Sequence, residues 1–356
     1  MHFHDGEVPV DYRRYTGRKL IFIVGLLAGL LICLVASISL GAADISMVHV
    51  LKSLGGLDVA PRVDIIVRNI RLPQALAAVV AGAGLSMAGA VMQSILRNPL
   101  GSPFTLGISH AAAFGAALSV MVLGGGVITS GTGGGVNVTA PYITTASAFG
   151  FSLLAALIIV GVARSRGATP ETMVLTGVAL GALFTAGTMF LQFFADDVQL
   201  AAMVFWTFGD TARASWGELG SITLVTLACT VYFLFNGWNY NAIDAGDETA
   251  RGLGVRVERL RMAGMLLASL LTASLIAFLG IIGFVGLVVP HMVRRIIGAD
   301  HRYLLPACFF GGGLLLLISD TVARLLFSPH TLPVSVLTAF MGAPVFLFII
   351  LKGRRS

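Results

Sequence analysis

Residues 262–293 form a continuous run of apolar and small residues that contains no charged side chain. A helix rises about 1.5 Å per residue, so about 20 apolar residues cross the roughly 30 Å hydrocarbon core of a bilayer. The run is therefore too long for one membrane-spanning helix. Its glycines are too frequent for a straight helix, and they predict two helices joined by a tight turn near residues 280–283.

Similar runs recur along the chain, whose 356 residues are 56% hydrophobic and only 11% charged. Soluble domains carry about 25% charged residues, so the composition excludes a water-soluble protein. The predicted fold is an all-α integral membrane protein with about ten transmembrane helices, in which residues 20–352 form one domain between tails at 1–19 and 353–356. The predicted spans are residues 20–40, 72–93, 104–123, 143–162, 172–194, 219–235, two within 262–293, 303–318 and 334–351. Between spans we expect polar connections at 44–71 and 196–218 and an uncharged, glycine-rich loop at 124–140.

The distribution of positive charge predicts the orientation in the membrane. An even number of spans places both termini on one side. If that side is the cytoplasm, 17 of the 23 Lys and Arg residues lie inside and the other six lie outside, in line with the positive-inside rule. The net charge of +6 then encodes orientation, and we expect no nucleic-acid partner. The chain is predicted to be a multi-pass protein of a bacterial or archaeal cytoplasmic membrane with both termini cytoplasmic.

A polar island at residues 242–254 interrupts the apolar pattern on the predicted cytoplasmic side. Read as one helix, it has a charged face and an apolar face, and Gly252 and Gly254 end it. The charged face comprises Asp244, Asp247, Glu248 and Arg251, and the other face Ile243, Gly246, Ala250 and Leu253. Such a helix is either a solvated surface helix or a docking element for a cytoplasmic partner.

Several sequence motifs are missing. A Walker A loop needs Gly-Lys followed by Ser or Thr, and none of Lys19, Lys52 and Lys352 follows a glycine. No acidic residue lies centrally in a predicted span. Ion-coupled carriers usually have an intramembrane carboxylate or an unwound polar site, so this observation argues against an ion-coupled carrier. The three cysteines lie in apolar runs and predict neither a disulfide nor a metal site. An ion-coupled secondary transporter without an ATPase, and a membrane enzyme or scaffold, stay open as alternatives.

Weak internal symmetry is visible as well. One series of spans begins after Arg71 on the predicted outer side of the membrane, and another begins after residues 259–261 on the predicted inner side. Inverted repeats of this kind recur in transporters.

Two groups of motifs lie in the two halves of the chain. The first group is RLP at 71–73, AGAGLSMAGAVMQ at 81–93 and NPL at 98–100. The second is GFVGLVVPH at 283–291, RR at 294–295, DTVAR at 320–324, LP at 332–333 and GAPV at 342–345. Over roughly residues 20–352 they resemble the FecCD family, the ABC-importer permeases for ferric siderophores, haem and cobalamin.

This resemblance implies ten helices per subunit in an importer that works by alternating access. It implies a second permease subunit, two cytoplasmic ATPase subunits that hold ATP and Mg²⁺, and a periplasmic substrate-binding protein. This chain itself would bind no cofactor and no metal. The implied substrate is a metal chelate, with a ferric siderophore as first choice, then haem or cobalamin.

The resemblance also implies roles for individual residues. It places the coupling helix at 242–254, with the ATPase contact made by Asp244, Asp247, Glu248, Arg251 and Leu253. Docking of the binding protein falls to Arg71 and Arg324. Gln74 occupies a position at which some members have another arginine, and Arg68 is the candidate to replace it as the third docking residue. For Arg324 an ion pair with Asp320, four residues earlier, is the alternative.

The fifth span is implied to line the translocation pathway, through Thr176, Leu180, Phe184, Met189 and Phe193. Ordinary core packing is the alternative for these side chains. A cytoplasmic gate is implied at Thr169, Pro170 and Glu171.

Overall fold

The computed structural model describes residues 10–41, 45–122, 141–328 and 330–353. Apart from one isolated bridge between Phe208 and Ile281, the described residues contain no paired strands. Their helices are α1 (Val10–Ser39), α2 (Met47–Leu54), α3 (Pro61–Ile65), α4 (Leu72–Ile95), α5 (Ile108–Val122), α6 (Pro141–Ser165), α7 (Pro170–Phe194), α8 (Asp197–Thr207), α9 (Trp216–Phe235), α10 (Gly237–Asp244), α11 (Asp247–Gly252), α12 (Val257–Leu279), α13 (Val285–Ile297), α14 (His301–Leu326) and α15 (Val334–Gly353). The predicted loop 124–140, residues 1–9 of the predicted tail 1–19 and residues 354–356 lie outside this description, and α1 begins within that tail, at Val10.

Each of the ten predicted spans contains a helix, which confirms the all-α membrane fold. Among the residues that the structure describes, seven helical segments are long and apolar enough to cross a bilayer, and α5 and the Val334–Pro344 part of α15 are shorter apolar helices. The run 262–293 is divided as predicted, because α12 ends at Leu279 and α13 begins at Val285. Gly280, at φ +79°, provides the left-handed backbone that this turn requires.

The connections contain more helix than predicted. Residues 44–71 include α2 and α3, and a π-helical turn at Ile66–Arg71 joins α3 to α4. Residues 196–218 include α8, whose start is fixed by a capping box between Asp196 and Gln199. These helices combine polar and apolar residues, so a search for uninterrupted apolar runs misses them.

Two span boundaries also differ from the prediction. α14 continues to Leu326 instead of ending near residue 318, because Asp320 and Arg324 pair with each other. α5 begins at Ile108, and the preceding segment 99–107 is not helical. There Gly107 is buried and lies against the backbone of Gly177 and Gly181 in α7, so at this point the irregular backbone packs against protein, as the membrane interior requires.

The two ends of the bundle are identified by contacts between distant elements. At one end, the last turn of α14 reaches the last turn of α1, where Arg324 donates to Ser37, and Asp320 contacts Gln74 near the start of α4. We call this end, which includes α3, the α3 face. At the other end, Arg261 near the start of α12 contacts Ile95 at the end of α4. We call this end, which includes α11, the α11 face.

Helix α4 lies at the centre of the bundle, with nearly all of its side chains buried. It approaches its neighbours through glycines: Gly82 lies against the backbone of Gly312 in α14, and Gly89 lies against Gly286 in α13. Small residues permit such close approach in lipid, where helix packing rests on van der Waals contact.

The helix lengths support the suspected inverted repeat. α4 to α7 have 24, 15, 25 and 25 residues, and α12 to α15 have 23, 13, 26 and 20. The first series begins at the α3 face and the second at the α11 face, so the two run in opposite directions. In each series a long helix is followed by a non-helical turn and a short helix.

Candidate functional site

The polar island 242–254 was predicted to be one helix. In the structure it consists of the end of α10 followed by a separate helix, α11. Gly246 separates them with φ +117°, a backbone conformation that side chains other than glycine rarely adopt. The break rotates the two parts relative to each other, so the four predicted charged residues do not share one face. The predicted end is confirmed, because α11 stops at Gly252 and Gly254 has φ +85°.

Asp247 faces the protein and holds a buried arginine. Arg261, in the first turns of α12, is only 1% exposed. Its Nη2 donates to both carboxylate oxygens of Asp247 at 2.9 and 3.0 Å. Its Nε donates to the carbonyl oxygen of Ile95 at 2.7 Å, and its Nη1 donates to that of Ala168 at 2.9 Å. A charged group this deeply buried is stable only when its donors are satisfied, and here each of the three nitrogens has an oxygen acceptor.

Asp244 is exposed as a residue, but its carboxylate contacts the protein in a second polar cluster. Its Oδ1 accepts a hydrogen bond from Ser94 Oγ of α4 at 2.7 Å, and its Oδ2 lies 3.6 Å from Nδ1 of the buried His301. Asn241 of α10 donates to Asp300 at 2.9 Å and accepts from the backbone N–H of His301 at 2.8 Å. These contacts fix α10 to the start of α14.

Asp300 caps α14 within this cluster and accepts hydrogen bonds from Arg302 and Asn241. Burial alone would raise the pKa of its carboxyl, but these hydrogen bonds to the ionised form outweigh it and lower the pKa from 3.8 to about 2. The cluster is therefore fully formed at neutral pH.

The exposed part of the island is smaller than predicted. Glu248 and Arg251 of α11 are exposed, and Leu253, one of the residues predicted to contact the ATPase, is 70% exposed. Ile243 and Ala250 are buried as predicted. We call the exposed group Glu248, Arg251 and Leu253 the coupling surface; it combines two charges with one apolar side chain.

The predicted gate residues lie beside the acceptor of Arg261. Thr169 caps the start of α7, where its Oγ1 accepts from the N–H of Thr172, Pro170 is the first residue of that helix, and Glu171 is exposed in its first turn. Ala168, whose carbonyl accepts from Arg261, precedes the cap at φ +52°. Arg261 therefore joins α11, the end of α4 and the turn that begins α7.

The five residues predicted to line a pathway do not share one face of α7. Met189 and Phe193 are exposed, Thr176 and Leu180 are half-buried, and Phe184 is buried. The ring of Phe184 packs at a tilt against Phe114 of α5 and edge-to-face against Phe151 of α6, so core packing accounts for its position. The exposed face of α7 is an apolar stripe that also includes Leu175, Val178, Leu183, Phe190 and Phe194.

Two of the three arginines predicted for docking hold the end of α1. Arg71 is 6% exposed, and its Nη1 donates to the carbonyl oxygens of Ile38 and Ser39 at 2.9 and 2.8 Å. Arg324 Nη2 donates to Ser37 Oγ at 2.8 Å, and its Nε forms the alternative ion pair with Asp320 at 3.0 Å. The last carbonyls of a helix have no partners within it, and cations are favoured there. This placement indicates a structural role for both.

Arg68 is the most exposed of the three, with 42% of its side chain accessible. It pairs with Asp64 at 3.0 Å and also contacts the carbonyl oxygen of Ser53, which joins α3 to α2. Gln74 faces inward and donates to Asp320, which also accepts from Thr211. Gln74 is thus part of a buried polar cluster at the α3 face.

Sequence reasoning did not single out Arg261. In the sequence it is one of several arginines just before an apolar run, a position typical of a cytoplasmic flank. The signal that could have identified it is its register: residues 257, 260, 261, 264 and 265 fall on one side of a helix, so Arg261 lies on the same side as Val257, Leu260 and Met265.

Known proteins of one family are similar to this chain over most of its length. The FecCD transport family matches residues 29–352. A protein of Methanocaldococcus jannaschii, named as an ABC transporter permease, is 48% identical over 97% of this chain and 98% of its own length. The hemin transport system permease protein HmuU of Yersinia pestis is 37% identical over 93% and 97%, respectively.

The fold also has a solved counterpart. A structure described as an inward-facing conformation of a metal-chelate type ABC transporter superposes with a TM-score of 0.80 at 30% sequence identity. The match covers 93% of this chain and 98% of the other. With nearly the whole membrane domain matched in sequence and in fold, this multi-pass membrane protein belongs to the FecCD transport family of ABC transporter permeases.

Proposed function

We propose that this chain is the membrane-spanning subunit of an ATP-driven importer that carries a metal chelate into the cytoplasm by alternating access. The observation that carries the proposal is the match of residues 29–352 to a single transport family. An iron chelate, either a ferric siderophore or haem, is the first candidate substrate, and cobalamin is the next. The hemin system to which HmuU belongs supports the choice of iron.

The proposed assembly contains a second permease subunit, two ABC ATPases that bind ATP and Mg²⁺, and an exterior substrate-binding protein. The second subunit, a copy of this chain or a paralogue, would cover part of the apolar stripe of α7, and the pathway would lie between the two. Exposed apolar patches of this size are typical of contact with lipid or protein. We propose no cofactor or metal site in this chain.

The α11 face is proposed to be cytoplasmic, because the excess of Lys and Arg flanks helices at that end. The ATPase would then contact the coupling surface, where Leu253 offers an apolar anchor and Glu248 and Arg251 supply charges of both signs. The binding protein would approach the α3 face, where Arg68 is the accessible member of the three proposed docking arginines. Arg71 and Arg324 would hold the end of α1 in place and would make no contact with the binding protein.

Reconstitution tests the proposal. The chain, its ATPase and its binding protein are placed in vesicles and offered ferric siderophores, haem and cobalamin one at a time. We expect uptake of one chelate only when ATP is supplied on the ATPase side, and none with an ATPase that binds but does not hydrolyse ATP. Accumulation driven by an ion gradient, with no ATPase present, would overturn the proposal in favour of a secondary transporter.

A further inference from the structure

Arg261 is a buried link between the coupling surface and the first turn of α7. Its three nitrogens contact three separate parts of the chain: Asp247 at the start of α11, Ile95 at the end of α4 and Ala168 before α7. No other arginine in the described residues joins α11 to these elements. A rigid guanidinium that bonds in three directions keeps its partners in fixed relative positions.

The contact with Asp247 differs from the other two. It joins opposite charges, with the single nitrogen Nη2 donating to both carboxylate oxygens, and such charge-assisted hydrogen bonds are about twice as strong as neutral ones. Asp247 is partly accessible, whereas Arg261 is not. The neighbouring Glu248 and Arg251 form part of the exposed coupling surface. A partner that displaces α11 must therefore either break this pair or move Arg261 with it.

The contact with Ala168 extends the link to α7. Gly167 and Ala168 both have positive φ, at +80° and +52°, and the N–H of Ala168 is bonded to the carbonyl of Ala163 at the end of α6. This turn is thus tightly folded, and the cap residue Thr169 follows directly. Because the turn is tightly folded, a displacement of Arg261 would also displace the start of α7.

We propose that Arg261 is a positioning residue that transmits the movement of α11 to the start of α7, with Asp247 as the contact that receives the movement. The proposal rests on the proposed function, because it assumes that an ATPase moves α11. It goes further by naming the path between the coupling surface and the helix proposed to line the pathway. Such coupling requires contacts shared by both sites.

The test compares two arginine-to-lysine substitutions in the same helix. Arg261→Lys keeps the charge but removes the planar fork that reaches three acceptors. Arg259→Lys makes the same change at an exposed position two residues earlier. In reconstituted vesicles we expect Arg261→Lys to retain ATPase binding and hydrolysis while uptake per ATP falls by about fivefold or more. Arg259→Lys should match the wild type.

A second readout separates transmission from a merely structural role. Glu171→Cys, on a Cys33→Ser background, reports on the start of α7 through the rate at which its thiol is modified by a maleimide. We expect that rate to change with nucleotide in the wild type and in Arg259→Lys, and to become independent of nucleotide in Arg261→Lys. If Arg261→Lys is not recovered folded, Asp247→Asn tests the same pair from its accessible side.

The outcomes distinguish this inference from the proposed function. If the unsubstituted chain shows no ATP-driven uptake of any chelate, the proposed function fails and the inference fails with it. If it shows uptake, and the Arg261 and Asp247 variants keep its ratio of uptake to hydrolysis and its nucleotide-dependent modification, only the inference is overturned.

Discussion

Arg71 shows that a charged residue near a predicted membrane surface can serve the interior of the protein. Its guanidinium satisfies two carbonyls at the end of α1 that no helical N–H can reach. We expect Arg71→Gln to lower the free energy of unfolding by about 1–3 kcal/mol, because buried carbonyls lose their partners. The thermal unfolding midpoint in detergent measures this, with the exposed Arg62→Gln as the control.

The same variant distinguishes the structural role from docking. Folded Arg71→Gln protein should bind the exterior binding protein with unchanged affinity. A large loss of that affinity at unchanged stability would restore Arg71 to the docking surface and contradict the role inferred from its contacts.

Asp300 gives a prediction about pH. Its pKa is lowered to about 2, so its hydrogen bonds stabilise the fold above its unfolded pKa of 3.8 and are lost as pH falls towards 2. We expect Asp300→Asn to be less stable than the wild type by the same amount at pH 7 and pH 5, and by a smaller amount at pH 3. Thermal midpoints at the three values test this, with the exposed Asp58→Asn as the control. If the stability difference between Asp300→Asn and the wild type grew as the pH fell, a titratable group other than Asp300 would have to determine it.

At the scale of helices, the closest packing in the bundle rests on glycine. A Cβ on Gly89 of α4 would collide with the backbone of Gly286, so we expect Gly89→Ala to separate α4 from α13 and destabilise the protein by about 1–3 kcal/mol. A Cβ added to Gly161 in α6 would have no atom of another part of the chain within 4 Å. Gly161→Ala should be neutral or slightly stabilising, since alanine favours helix by up to about 1 kcal/mol. Equal thermal midpoints for the two variants would contradict the close contact.

The elements that hydropathy could and could not predict differ in composition. All ten apolar runs contain helices, because only a helix satisfies its backbone within lipid. The search for apolar runs does not find α8, because this helix of eleven residues begins with Asp197 and follows Asp196. The spacing of Asp196 and Gln199 is nevertheless a capping-box signal. The predicted span ends before the end of α14, because hydropathy treats Asp320 and Arg324 as two separate unfavourable charges. In the helix they form an ion pair with each other.

The candidate site was predicted only in outline. Its position and its end at Gly252 followed from composition, but the break at Gly246 depends on one dihedral angle. That break turns Asp244 and Asp247 inward and leaves Leu253 outward. The partner of Asp247, Arg261, lies 14 residues away, and the partners of Arg71 at the end of α1 lie 32 and 33 residues away, so no pattern within a single helix indicates these pairs.

For the whole molecule, the decisive question is which face meets the ATPase. Leu253 at the α11 face and Leu57 at the α3 face are exposed to similar degrees, at 70% and 62%. We expect Leu253→Ser to weaken binding of the ATPase by about tenfold, because burial of a leucine side chain contributes about 1.5–3 kcal/mol. Leu57→Ser makes the same change at the opposite end and should leave ATPase binding unaltered. Titration of purified permease with the ATPase measures both affinities, and a loss confined to Leu57→Ser would reverse the proposed orientation. Equal affinities for both variants and the wild type would instead remove Leu253 from the coupling surface, while the buried pair of Asp247 and Arg261 would still require its own test.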